Sequence, residues 1–163
     1  MKSTYVVVAD AARAQMFALR AHKSATDTQL TKLESVMELH NAARRLRPSE
    51  RYSDSRPGLQ QGSGGGPSHG VDDGRSAQEN ESERRFARRI MDELQNLNNN
   101  EPAERLILAA SPRMLGMLRK EAANPGQLPS DVEEIDKALT TLSPVALHDY
   151  LAQRALLPER GRA

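Results

Sequence analysis

The sequence contains no cysteine and no tryptophan, and only 3% of its residues are aromatic. Without cysteine there is no disulfide framework and no thiol chemistry, a composition that suits a reducing cytosol. So few aromatics argue against a platform on which bare bases would stack. Charge of neither sign predominates, because 23 basic residues face 22 acidic ones for a net charge of +1. Any charged partner must therefore be read from local clustering. No run approaches the roughly 20 apolar residues that a bilayer-crossing helix needs. The opening "MKSTYVVVADAARAQMF" breaks its short apolar run at Asp10, unlike the uninterrupted apolar segment of a secretory signal. The expectation is a cytoplasmic protein that does not engage membranes.

The 163 residues amount to one ordinary domain, able to bury roughly 70% of its unfolded surface. At the centre lies "DSRPGLQQGSGGGPSHGVDDGR", residues 54–75, with almost nothing that could enter a core. Dividing the chain there would leave an N-terminal piece of fewer than about 55 residues with no cysteine or metal to staple it. A single domain over 1–155 is expected, carrying a mobile loop at 49–75 and ending in a flexible tail at 156–163. A loop of about 27 residues exceeds the 12–15 usual for ordered connections, and its Gly, Ser and Gln content gives it little to bury.

Residues 4–9, "TYVVVA", are β-branched and apolar at successive positions, as in a strand buried on both faces. Alternation over 13–18 suits a second strand with one wetter face, and a polar turn near 22–28 leads to a third over 29–39. From Ser76 the period changes to 3.6, and Phe86, Ile90, Leu94 and Leu97 share one face of a helix over 76–97. Glu79, Glu81 and Glu83 fall early in that helix, where its dipole favours anions. "ERLILAA" (104–110) is a buried strand. Ser111-Pro112 and Ser143-Pro144 start two further helices, with serine as cap and proline in the first turn. A short strand lies within 131–139. Three strands followed by alternating helix and strand is the order of a single three-layer ribonuclease H-like α/β domain, a mixed sheet of about five strands with helices on both faces.

A nuclease of that architecture holds two divalent metals on carboxylates from its first and fourth strands. Asp10 ends the first strand suitably, but the fourth ends in Ala109-Ala110-Ser111, which argues against that chemistry. Asp10 is expected to cap a turn between strands. His22, His40, His69 and His148 have no metal-ligand spacing, and "GSGGGPS" (62–68) lacks the Lys-Ser/Thr ending of a phosphate loop. Ser111 and Ser143 suit caps better than nucleophiles. No metal, no cofactor and no complete catalytic constellation is expected.

Positive charge is what remains. Arg44, Arg45, Arg47, Arg51 and Arg56 lead into the loop, and the following helix adds Arg84, Arg85, Arg88 and Arg89 opposite its apolar face. Guanidinium forks match phosphate oxygens, so these nine arginines are candidates to bind tRNA or ribosomal RNA. The alternative is that the helix simply solvates a charged face.

The segments "VVVADAARAQMF" (6–17), "SDSRPG" (53–58), "ERRFARRI" (83–90), "LILAASPRMLGMLRK" (106–120) and "EIDKALTTLSPVALHDYL" (134–151), in this order, resemble the bacterial family of proteins required for attachment to host cells. That family in turn is similar to the middle domain of archaeo-eukaryotic peptide-release factors, whose Gly-Gly-Gln loop precedes a long helix. Arg85-Phe86-Ala87-Arg88 matches the start of that helix. The resemblance implies a loop tip made of Gln60, Gln61, Gly64, Gly65, Gly66 and His69, carried on a helix of roughly 30 Å at 1.5 Å per residue. Here the glutamines precede the glycines, and Pro67-Ser68-His69 follow them, so hydrolysis is not expected. The resulting expectation is a cytoplasmic RNA-, tRNA- or ribosome-associated module. Peptidyl-tRNA hydrolysis is the enzymatic alternative, and a protein partner through which attachment is affected indirectly is the other.

Overall fold

The computed structural model describes residues 2–44, 69–122, 126 and 128–161, and for 69–73 and 75 the backbone alone. Among the described residues five strands form one sheet: β1 (Thr4–Ala9), β2 (Arg13–Lys23), β3 (Gln29–His40), β4 (Arg105–Ala110) and β5 (Asp131–Ile135). Their order is β3-β2-β1-β4-β5. β1, β2 and β3 are antiparallel neighbours, whereas β4 runs parallel to β1 and β5 parallel to β4. The mixed sheet follows from the connections. A tight turn at Ser24–Thr28, with Asp27 at φ 58°, reverses the chain between β2 and β3, whereas the parallel strands need helical crossovers.

Three α-helices among the described residues supply the layers: α1 (His69–Asn100), α2 (Pro112–Glu121) and α3 (Pro144–Gln153). Central strands explain their continuous apolar runs by splitting them with period two. Tyr5, Val7, Ala9, Leu106, Leu108 and Ala110 face one core with Phe86 and Ile90 of α1 and Met114 of α2. Val6, Val8, Ile107 and Ala109 face the other, with Leu147 and Leu151 of α3. Helices on both faces thus make every residue of β1 buried, and the expected α/β class and mixed sheet are present.

Helix α1 is longer than its periodicity indicated. It takes in residues 69–75, the last part of the stretch expected as loop, and its 32 residues extend about 48 Å rather than roughly 30 Å. Residues 45–68, which hold most of that loop, lie outside the described residues. An early start also changes the role of Glu79, Glu81 and Glu83. They sit well inside the helix, beyond the first turn where a dipole acts. At the other end Pro102 disfavours helical backbone at Glu101, and the Tyr5 hydroxyl donates to the Glu101 carbonyl at 2.5 Å, tying the helix end to β1.

Residues expected as a flexible tail are docked as far as Gly161. Leu157 is buried in the α3-side core. His148, fully buried, bonds through Nε2 to the Pro158 carbonyl at 2.9 Å, and the Thr31 hydroxyl donates to the Glu159 carbonyl. Arg160 holds Asp149 with two bonds of 2.7 and 2.9 Å. Gly161 lies so close to Leu30 that a Cβ would collide with that side chain. Sequence reading had no signal for this, because Leu156-Leu157 sits outside any periodic element.

Candidate functional site

The carboxyl ends of the parallel strands are where open α/β sheets place ligands. Asp10 follows β1 there, but its carboxylate is occupied by its own chain. Oδ1 accepts the N–H groups of Ala12 and Arg13 at 2.7 and 2.9 Å, and Oδ2 accepts the Thr140 hydroxyl at 2.5 Å. Arg13 donates in turn to the Thr140 carbonyl. Asp10 is therefore the turn-capping residue expected from the sequence, with an added tether to the segment before α3. Among the described residues no group of three or more histidines, aspartates or glutamates is placed to hold a metal. Ser143 caps α3 by accepting the Ala146 N–H at 3.2 Å. Ser111 takes the cap position of α2, yet its hydroxyl makes no capping bond.

A second polar knot joins the end of β3 to α1. The Asn41 side chain donates to the Ala11 carbonyl at 3.0 Å and to Ser82 Oγ at 3.1 Å, and its oxygen accepts the Ala43 N–H. One residue along α1, Glu83 is only 3% exposed. Arg44, at the end of the short 3-10 turn Ala42–Arg44, lies 2.6 Å from one of its oxygens, and Arg113 of α2 lies 3.1 Å from the other. A buried carboxylate needs such pairing, since isolated it would be desolvated without compensation. This knot was not anticipated. Its one sequence signal is that Glu83 extends the stripe of Phe86, Ile90, Leu94 and Leu97 by a further helical step.

The arginines of α1 are placed as the periodicity indicated. Arg84, Arg85, Arg88 and Arg89 are all exposed, on the side of the helix away from Phe86 and Ile90. Three of them are held at one point each. Arg85 Nε lies 3.2 Å from Glu81, Arg88 Nε lies 3.3 Å from Glu121 of α2, and Arg89 donates to the His40 carbonyl at 3.2 Å. Arg84 makes no ion pair with a described residue. A cavity of about 290 Å³ opens between the Asn41–Ala43 segment and the Ser82, Arg85 and Arg89 side of α1.

Of the remaining candidates, Arg44 and His69 lie among the described residues. Arg44, expected to meet RNA, is instead committed to Glu83 and lies 3.5 Å from Glu79. Arg45, Arg47, Arg51, Arg56, Gln60, Gln61, Gly64, Gly65 and Gly66 lie outside the described residues. His69 is the first residue of α1. Groups whose titration is displaced serve as stitches between elements. The Arg20 guanidinium holds the Glu101 carboxyl below its ordinary value, and Arg160 does the same for Asp149.

The model of a protein family, described as protein required for attachment to host cells, matches residues 5–151. The chain belongs to that family. No curated protein matches it. The host-attachment match runs from β1 into α3, so it takes in all of the sheet but Thr4, and with it the Asp10 turn, the Glu83 knot and the arginine row. Within this host-attachment protein the docked segment after α3 lies beyond the matched span. No helix among the described residues is long and apolar enough to cross a membrane.

Proposed function

We propose that this host-attachment family member is a cytoplasmic RNA-, tRNA- or ribosome-associated module whose contact surface is the arginine row of α1. The observation that carries this reading is the separation of faces on one long helix. Its inner side is consumed by the core, while Arg84, Arg85, Arg88 and Arg89 stand together on the outer side. Guanidinium groups fork onto phosphate oxygens, and single ion pairs on exposed side chains are too weak to remove them from that task. Strand order and directions support a ribonuclease H-like domain in its three-layer form. A carboxylate at Asp10 that is occupied by backbone amides supports contact rather than metal-dependent cleavage. The kinship with release-factor middle domains belongs to the same reading, with α1 as the helix that carries the loop.

Filter binding of tRNA and of ribosomes across a salt series tests this. Each phosphate neutralised on a single strand contributes about 0.7 to the slope of log affinity against log salt. Replacing Arg84 and Arg88 by alanine is expected to lower that slope while the far-ultraviolet circular dichroism stays unchanged. Wild-type protein whose binding is absent or indifferent to salt overturns the reading and leaves the row as a solvated face.

A further inference from the structure

The cavity beside α1 has a floor whose polar groups are already satisfied. Asn41 and Ser82 bond to one another, and Asn41 also bonds to the Ala11 carbonyl of the β1–β2 connection and the Ala43 N–H of its own turn. Its walls differ, because Arg85 and Arg89 are each fastened by only one of five guanidinium N–H groups. Those fastenings limit where the forks can swing and leave terminal amino groups uncommitted to any described residue. The two arginines stand one helical turn apart, with Cβ atoms roughly 5–6 Å from each other. Like charges at that spacing repel, and an anion lodged between them converts the repulsion into shared attraction.

Size and lining narrow the anion. At about 290 Å³ the cavity has room for a phosphate with its adjoining sugar carbons. The aromatic residue on this stretch of α1, Phe86, is only 3% exposed and offers no face for a base. Recognition here would position a backbone without reading sequence. We propose that the cavity is a phosphate seat in which Arg85 and Arg89 together hold one phosphate of an RNA strand. The identity of the carrier rests on the RNA-associated reading above, whereas the seat itself is tested without RNA.

The first measurement compares thermal unfolding of the full chain in inorganic phosphate and in chloride at equal ionic strength. A saturable rise in Tm with phosphate is expected for wild type. It is lost when Arg85→Gln and Arg89→Gln are combined, and kept when Lys23→Gln and Lys32→Gln, two exposed cations of the β2–β3 hairpin, are combined. No difference between the two anions, or a rise that the Arg85/Arg89 double variant retains, overturns the seat. Should that double variant fail to fold, Arg89→Lys keeps the charge but loses the fork, and a reduced phosphate response is expected from it.

The second measurement uses short single-stranded RNA with and without a 5′-phosphate. Because both arginines share one phosphate, the double variant loses about 0.7 of the salt slope. A loss of roughly twice that means two separate phosphates and overturns the shared seat. Tighter binding of the 5′-phosphorylated strand assigns the seat to a terminal phosphate, and equal binding assigns it to an internal phosphodiester. Stabilisation by phosphate together with no salt-sensitive RNA binding overturns RNA as the carrier.

Discussion

Glu83 has a greater structural consequence than its sequence neighbours Glu79 and Glu81, because it alone of the three is buried. Arg44 and Arg113 reach it from two other elements, so a single carboxylate joins the end of β3, the middle of α1 and the start of α2. Removing its charge while keeping its shape leaves two arginines that can turn to water. Glu83→Gln is therefore expected to cost about 1.5–3 kcal/mol, the range for a hydrogen bond to a charged group. Urea denaturation measures this, and a double-mutant cycle with Arg113→Met isolates the pair. The Arg113→Met change should cost less in the Glu83→Gln background than in wild type. Equal costs in both backgrounds would show that the contact contributes nothing to stability.

Among the elements, α3 and the segment after it make a clasp whose strength depends on pH. Arg160 holds the Asp149 carboxyl below the ordinary aspartate value, chiefly through their direct hydrogen bonds. A carboxyl depressed in the folded state stabilises that state above its unfolded value, about 3.9, and the contribution disappears as pH falls through the depressed value. The segment 159–161 should accordingly stay ordered, as read by backbone NMR order parameters, from neutral pH down to about 4 and then loosen. Arg160→Gln is expected to open the same residues at neutral pH and to abolish the acid step. A step that persists in that variant would assign it to another carboxylate. Leu157 and the His148 bond to Pro158 keep the nearer part of the segment in place by burial.

For the molecule as a whole, the sheet is the shared wall of two cores that contain no residue in common. Ile90 is fully buried on the α1 and α2 side, and Leu147 is fully buried on the α3 side. Each truncation to alanine should cost about 2–5 kcal/mol, combining lost transfer energy with the cavity left behind. The sheet separates the two sites, so their costs are expected to add within about 0.5 kcal/mol in chemical denaturation. Both variants should unfold in one transition, since β1 and β4 belong to both cores and connect their loss. Strong coupling, or separate transitions, would mean that one layer unfolds without the other.

Local physics decided much of this protein from its sequence alone. β-branched runs made β1 and β4 strands, Ser-Pro pairs started α2 and α3, and a 3.6-residue stripe placed Phe86 inside and Arg84, Arg85, Arg88 and Arg89 outside. The role of Asp10 as a turn cap was also legible, because its partners Ala12 and Arg13 are adjacent in the chain. Only the tertiary structure brought Arg44 and Arg113 to Glu83, Thr140 to Asp10, and residues 156–161 onto α3 and β3. Those contacts join residues far apart in sequence, and no local period or propensity encodes which distant charge or apolar side chain will meet them. The same distinction applies at the arginine row: helical spacing set its direction, but the cavity beside it exists because the turn after β3 packs against α1.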